Sequence, residues 1–193
     1  MMVKVCGITN LDDALAAVEG GASALGFNFW PRSPRYIPPD DAHHIIRELP
    51  STVWKVGVFV DEERGAVADI ARAVRLDVVQ LHGRETAREF PDGVRVWKAV
   101  RVAKDFDPAA LDVYPAEAVL LDGPENGVAF DWKIGARSPK KVIIAGGLDA
   151  TNVRQAIAQA HPWGVDACSR LESAPGRKDQ DRMARFLEAA LGK

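Results

Sequence analysis

The stretch VKVCGITNLDDALAAVEGG, residues 3–21, decides how the rest of the chain is read. Its first half, VKVCGI from Val3, is a short apolar run with β-branched residues on either side of Lys4, the composition of a strand. Its second half carries helix signals: Asn10 as an N-cap, Asp12 and Asp13 in the first turn, and Gly20 and Gly21 to stop it. Residues 3–21 thus predict a β-strand leading directly into a helix. Cys6 sits at the tip of that strand, beside Gly7, where a thiol reads as a small core hydrophobe, half of a disulfide or a reactive group.

The same unit recurs. Strand-like runs begin at Ser23 (SALGFNF), Val53 (VWKVGVFV), Asp77 (DVVQLH), Val94 (VRVWKAV), Ala118 (AVLLDG), Lys141 (KVIIAGG) and Trp163 (WGVDAC). Most are too apolar for a strand with one wet face, which suits parallel strands covered on both sides. Helical patterns fall in PPDDAHHIIREL, DEERGAVADIARAV (with Val67, Ile70 and Val74 at helical spacing), DATNVRQAIAQA and the closing DQDRMARFLEAALGK. FDPAALDVYP allows only a short helix, and PENGVAFDWKIG reads mostly as a loop. Eight strands alternating with helices or crossovers predict an α/β chain, a (β/α)₈ barrel of one domain over residues 1–193. An open doubly wound sheet is the alternative, although no glycine-rich dinucleotide fingerprint follows the first strand.

Composition narrows the function. The 25 basic and 27 acidic side chains give a net charge of −2, so no global basic field exists to hold nucleic acid. No run approaches the length of a membrane span, and the start of the chain does not resemble a signal peptide, so a cytoplasmic protein is expected. In a reducing compartment Cys6 and Cys168 are not expected to form a structural disulfide. His43 and His44 look like a solvated helix face and His161 a loop residue; no pair shows metal spacing, so no metal is expected.

Active sites of parallel barrels form at the C-terminal ends of the strands. Those ends carry Cys6, Gln80 with His82, Asp122, Gly146 with Gly147, and Asp166 with Cys168. Alternation puts Lys4 on the face of Cys6, Gln80 on that of His82, and Leu120 on that of Asp122. Two glycines followed by a cap and a helix, in IIAGGLDATNV, offer backbone amides to an anion. FWPRSPRYIPP holds Arg32 and Arg35 in a loop stiffened by proline, able to aim a guanidinium at a carboxylate or phosphate. Each residue also has an ordinary reading: a core thiol, a capping aspartate, a structural histidine or a solvated arginine.

Taken in order, KVCGIT, GFNFWPRSPRYI, KVGVFV, QLHG, LLD with a later FDW, AGGL with NV, and PGRKD resemble the phosphoribosylanthranilate isomerase family of tryptophan biosynthesis over essentially the whole chain. The resemblance implies a (β/α)₈ barrel catalysing an Amadori rearrangement without cofactor or metal. It implies Cys6 as general base and Asp122 as general acid, Arg35 against the anthranilate carboxylate, and Gly146 and Gly147 at the phosphate with Ser169 and Arg170 beside them. Gln80 and His82 are pocket residues in this reading, with His82 not the acid. Lys4 is a candidate to lower the thiol pKa. The implied partner is a phosphorylated small molecule, with no nucleic acid or membrane, and a monomer is expected because no dimerisation signature is visible.

Two stretches depart from the family pattern. GPENGV is shorter than the glycine-rich loop the family usually carries, and CSRLE stands where a small-residue SSGVE-like turn is expected, with Arg170 in the glycine position. A closed barrel would bring Cys168 near Cys6. Three rivals stay open: the related Amadori isomerase of histidine biosynthesis, a catalytically idle phosphate-binding barrel, and a thiol hydrolase pairing Cys6 with His82. Only one AGG-type turn is present, against the paired phosphate sites of the first.

Overall fold

A computed structural model of the chain describes residues 1–123 and 130–192. Eight parallel strands close a barrel in chain order: β1 (Met2–Cys6), β2 (Ala24–Asn28), β3 (Trp54–Phe59), β4 (Val78–Leu81), β5 (Arg95–Arg101), β6 (Ala118–Asp122), β7 (Lys141–Ile144) and β8 (Gly164–Ala167). Each coincides with one of the apolar runs. Closure comes from β8 pairing with β1, which sets Lys4 opposite Asp166 and Val5 opposite Ala167 and removes the open-sheet alternative.

The outer layer is uneven. Full helices α1 (Leu11–Glu19), α2 (Pro39–Arg47) and α3 (Arg64–Val74) follow the first three strands. Asn10 caps α1 by accepting from the backbone N–H of Asp13. Among the described residues there are only 3₁₀ turns after β4 and β5, Ala87–Glu89 and Pro108–Val113, and a single turn after β6, α4 (Lys133–Ala136). Proline interrupts each of these crossovers, at Pro91, at Pro108 and Pro115, and at Pro124 and Pro139, and breaks up any longer helical pattern. Helices α5 (Val153–Ala160) and α6 (Gln180–Leu191) complete the ring. Between β8 and α6 lies an element missing from the sequence reading, an antiparallel hairpin of β9 (Glu172–Ala174) and β10 (Arg177–Lys178).

Strand alternation sorts the core into two layers. Val3, Val5, Leu25, Phe27, Val79, Leu81, Val119, Leu121, Ile144 and Val165 pack outward under the helices and loops. Met2, Ala24, Val56, Val78, Trp97, Leu120 and Ile143 fill the lumen. Trp54, Trp97 and Trp163 meet at centroid distances of 5.7 to 5.8 Å and plug the N-terminal end of the lumen. Arg95 and Lys141 lie over Trp54 and Trp163. Such aromatic contacts add about 0.5–1.5 kcal/mol each beyond area burial.

Candidate active site

With one end plugged by tryptophan, the lumen opens, among the described residues, where the strands end. A cavity of about 500 Å³ lies there, and Cys6, Arg35, Gln80, His82, Asp122, Gly146, Gly147, Ser169 and Arg170 all line it. Residues spread over more than 160 positions of chain thus meet because eight strands end around one mouth.

The floor on the β1 side is ionic. Lys4 Nζ donates to Asp166 Oδ1 at 2.9 Å, and both side chains are buried. The same ammonium lies within hydrogen-bonding reach of Cys6. Gly26 on the neighbouring strand leaves the space these atoms use: a Cβ there would lie 2.7 Å from Cys6 Sγ and 3.0 Å from Lys4 Nζ. A hydrogen bond from the Cys168 thiol, then Lys4 and Lys178 acting against burial, hold the Cys6 thiol well below its ordinary range. Cys168 is pushed the other way by that same hydrogen bond and by burial. Burial raises the Asp166 carboxyl to about 7, with Lys4 opposing and the charges of Cys6 and Asp122 adding.

The β9–β10 hairpin supplies a second buried pair behind the thiols. Lys178 Nζ donates to Cys6 O at 2.6 Å and Cys168 O at 3.4 Å, and pairs with Glu172 Oε1 at 3.2 Å. Glu172 also accepts two hydrogen bonds from one edge of Arg35, Nε to Oε1 at 2.8 Å and Nη2 to Oε2 at 2.7 Å. Arg35 therefore does not stand free over the mouth. Its Nε–Nη2 edge is held by Glu172, while Nη1 has no partner among the described residues. The loop carrying Arg35 is tied back to its own strand, since Ile37 N donates to Asn28 O and Ser33 Oγ accepts from Arg35 N. Gly7, at φ +75°, lets the loop sit down: a Cβ there would come within 2.8 Å of Arg35 Cδ and 2.9 Å of Cys168 Sγ.

Across the mouth runs a polar chain. Gln80 Nε2 lies 3.1 Å from His82 Nδ1, and His82 Nε2 lies 3.5 Å from Asp122 Oδ2. Asp122 Oδ1 accepts from Gly123 N at 2.9 Å. Gln80, His82 and Asp122 thus form one contiguous polar chain across the mouth. The glycine turn packs directly against this carboxylate: a Cβ on Gly146 (φ +84°) would lie 2.8 Å from Asp122 Oδ1. Gly147 is also left-handed, and Asn152 Nδ2 donates to its carbonyl at 2.9 Å, holding the turn to the start of α5. Five residues separate Gly147 from α5, so the turn does not run straight into the helix. Ser169 and Arg170 occupy a 3₁₀ turn, Ser169–Leu171, exposed at the rim.

Other sequence readings fare unevenly. Arg32 stacks on Trp30 at 4.9 Å rather than entering the cavity. His43 is half-buried with Nδ1 unpartnered, so it does not belong wholly to a solvated face. The departure in GPENGV lies, from Pro124 onward, outside the described residues. Glu172 and Lys178 are residues of this site that lie beyond any barrel-strand end, where strand-end reasoning misses them. The signal was present in ESAPGRK, two short runs around Pro-Gly, which is a hairpin pattern.

Comparison with known proteins agrees with this geometry. The model of the N-(5'-phosphoribosyl)anthranilate (PRA) isomerase family matches residues 3–189. The N-(5'-phosphoribosyl)anthranilate isomerase of Solibacter usitatus is 52% identical, over 98% of this chain and 97% of that one. The crystal structure of the Thermotoga maritima enzyme superposes with a TM-score of 0.93 at 42% identity, covering 100% of both chains. A crystal structure of phosphoribosyl anthranilate isomerase in complex with reduced 1-(o-carboxyphenylamino)-1-deoxyribulose 5-phosphate superposes with a TM-score of 0.90 at 43% identity, again over 100% of both chains. A parallel eight-stranded barrel, a mouth lined by a thiol, a carboxylate and a glycine turn, and matches of this extent place the chain in the phosphoribosylanthranilate isomerase family of enzymes.

Proposed function

We propose that this protein converts N-(5-phosphoribosyl)anthranilate to 1-(2-carboxyphenylamino)-1-deoxyribulose 5-phosphate in tryptophan biosynthesis, with Cys6 as general base and Asp122 as general acid. The carrying observation is that a thiol drawn well below its ordinary titration range and a carboxyl group line one cavity, in a chain of this family. Asp122 delivers a proton to the furanose ring oxygen, and the ring opens to a Schiff base. Cys6 removes the C2′ proton, and the resulting enolamine tautomerises to the ketone. Splitting the work between an acid and a base contributes about 10²–10⁴-fold for each group.

The rest of the cavity accounts for the substrate's two anionic ends. Glu172 fixes the Arg35 guanidinium, whose Nη1 end meets the anthranilate carboxylate. The amides of Gly146 and Gly147 receive the phosphate, with Ser169 and Arg170 at the rim. Gln80 and His82 hold Asp122 in place. No cofactor enters this reaction.

Loss of anthranilate fluorescence, with substrate generated in place, tests the assignment. Rapid loss with wild type and a fall of about 10²–10⁴-fold in Cys6→Ser and in Asp122→Ala is expected. Full rates in both variants would keep the reaction and remove the roles. An inert wild type that is folded would favour the idle phosphate-binding barrel. We also take residues 1–193 as one domain working as a cytoplasmic monomer. Among the described residues no helix is long and apolar enough to cross a membrane. Exposed large apolar side chains are scattered, at Met1, Leu15, Tyr36 and Val113. A light-scattering mass of two chains would replace the monomer reading; the Thermotoga maritima enzyme is described as dimeric.

A further inference from the structure

Two free thiols share the cavity, and the proposed chemistry uses one of them. Register explains why they meet. Val5 is paired with Ala167 across the seam that closes the barrel, so the next residues, Cys6 and Cys168, stand side by side at the ends of adjacent strands. Neighbouring strands lie about 4.8 Å apart, within the Cα span of roughly 4.4–6.8 Å that a disulfide bridges. Lys4 and Cys6 share the lumen face of β1, Cys168 directly follows β8, and both cysteines line the same cavity. Each acts on the other's titration, Cys168 drawing the Cys6 thiol down and Cys6 pushing the Cys168 thiol up. The Cys168 sulfur lies 3.9 Å from Lys178 Nζ and 3.9 Å from Glu172 Oε1, between a cation and a proton acceptor. Cys168 is partly exposed, and the cavity is wide enough to admit a small oxidant.

We propose that Cys6 and Cys168 form a peroxide-reactive modification site, in which hydrogen peroxide or a small organic hydroperoxide joins them in a reversible disulfide that closes the active site. The inactivation part rests on the reading of Cys6 as general base; the modification itself does not. In the first step the Cys6 thiolate attacks the peroxide, the O–O bond breaks, and Cys6 becomes a sulfenic acid while hydroxide (or alkoxide) leaves and takes a proton. In the second, the Cys168 sulfur attacks the Cys6 sulfur and the S–O bond breaks. The Cys168 proton, passed through Glu172, leaves with the hydroxyl as water. Two thiols are oxidised and one peroxide is reduced. The second thiol intercepts the sulfenic acid before it advances to the irreversible sulfinic acid.

The test treats wild type and Cys168→Ser with hydrogen peroxide, each rate taken relative to its own untreated sample. Intact mass and thiol labelling are read beside activity. Wild type should become lighter by two hydrogen atoms, lose both labelled thiols, lose essentially all activity and regain it with dithiothreitol. Cys168→Ser should instead gain oxygen at Cys6 and stay inactive after prolonged exposure and reduction. Peroxide that leaves both wild-type thiols free, or that oxidises Cys6 with no disulfide and no protection relative to the variant, overturns the proposal. A disulfide formed in full with the activity untouched upholds the site and removes Cys6 as the base.

Discussion

Lys4 and Lys98 sit on opposite faces of the same barrel wall, and both are buried lysines paired with a buried carboxylate. Lys98, on β5, points outward under the short crossover that replaces a fourth helix. Its ammonium meets Leu81 O at 3.2 Å, Gly83 O at 2.8 Å, Ala99 O at 2.9 Å and Glu85 Oε2 at 3.1 Å. Glu85 in turn accepts from Asp61 N and Gly83 N. Every donor of Lys98 is spent on backbone and one carboxylate, so it works as a pin that holds two loops where no helix covers the sheet. Lys4, on β1, has one carboxylate oxygen and a sulfur for company. Against burial, Asp166 and Cys6 hold its ammonium charged, and in return Lys4 joins Cys168 in drawing the Cys6 thiol below its ordinary range. Burial and pairing look alike in the two cases. What separates them is whether the neighbours saturate the ammonium or leave it facing a reactive group.

Breaking the pin should give the largest effect on stability. Lys98→Met strands the Glu85 carboxylate and should cost about 3–5 kcal/mol in urea unfolding, with the rate per folded molecule retained. Strong inactivation without loss of stability would erase the contrast. Lys4→Met should act in the opposite sense. Its rate should fall about 10²-fold, or roughly 2.7 kcal/mol, and the Cys6 thiolate absorbance should appear at higher pH than in wild type. A thiol titration that does not move would show that Lys4 merely fills the lumen.

Asp166 sharpens the comparison through pH. Its folded carboxyl titrates at about 7, above the ordinary value of 3.8, so the folded state keeps a proton that the unfolded chain releases. Its contribution is present in full below about 4 and is lost as pH rises through about 7, with a slope of at most about 1.4 kcal/mol per pH unit. Asp166→Asn should flatten that stretch of the urea-midpoint profile, and an unchanged slope would assign the proton elsewhere. The smallest effect is expected at the exposed rim. Arg170→Ala should raise KM about threefold with kcat unchanged, the scale of a solvated charged contact. A fall in kcat instead would draw Arg170 into the transition state.

The sequence carried most of the fold because β and α patterns are local. The apolar runs mark all eight strands, and Asn10 marks the first helix start. It carried less of the outer layer where crossovers are short: nothing local in HGRETAREF says that a 3₁₀ turn and a buried Lys98–Glu85 pair stand in for a helix. The hairpin was legible in ESAPGRK as a turn signal, but not as the bearer of Glu172 and Lys178.

For the site, the residues at strand ends follow from strand alternation and from the ends of the runs, and Cys6, Gln80, His82, Asp122 and the two glycines are all found that way. Sequence alone determined these residue types, their order and the face each occupies. Tertiary structure decided the rest: the closure of β8 on β1, which sets Cys168 against Cys6 and Asp166 against Lys4, and the clasp of Glu172 on Arg35. The physical reason is range. Strand and helix patterns act over a few residues, whereas the thiol's titration depends, besides Lys4, on Cys168 and Lys178, more than 160 positions away in the chain and brought close only by closing the barrel.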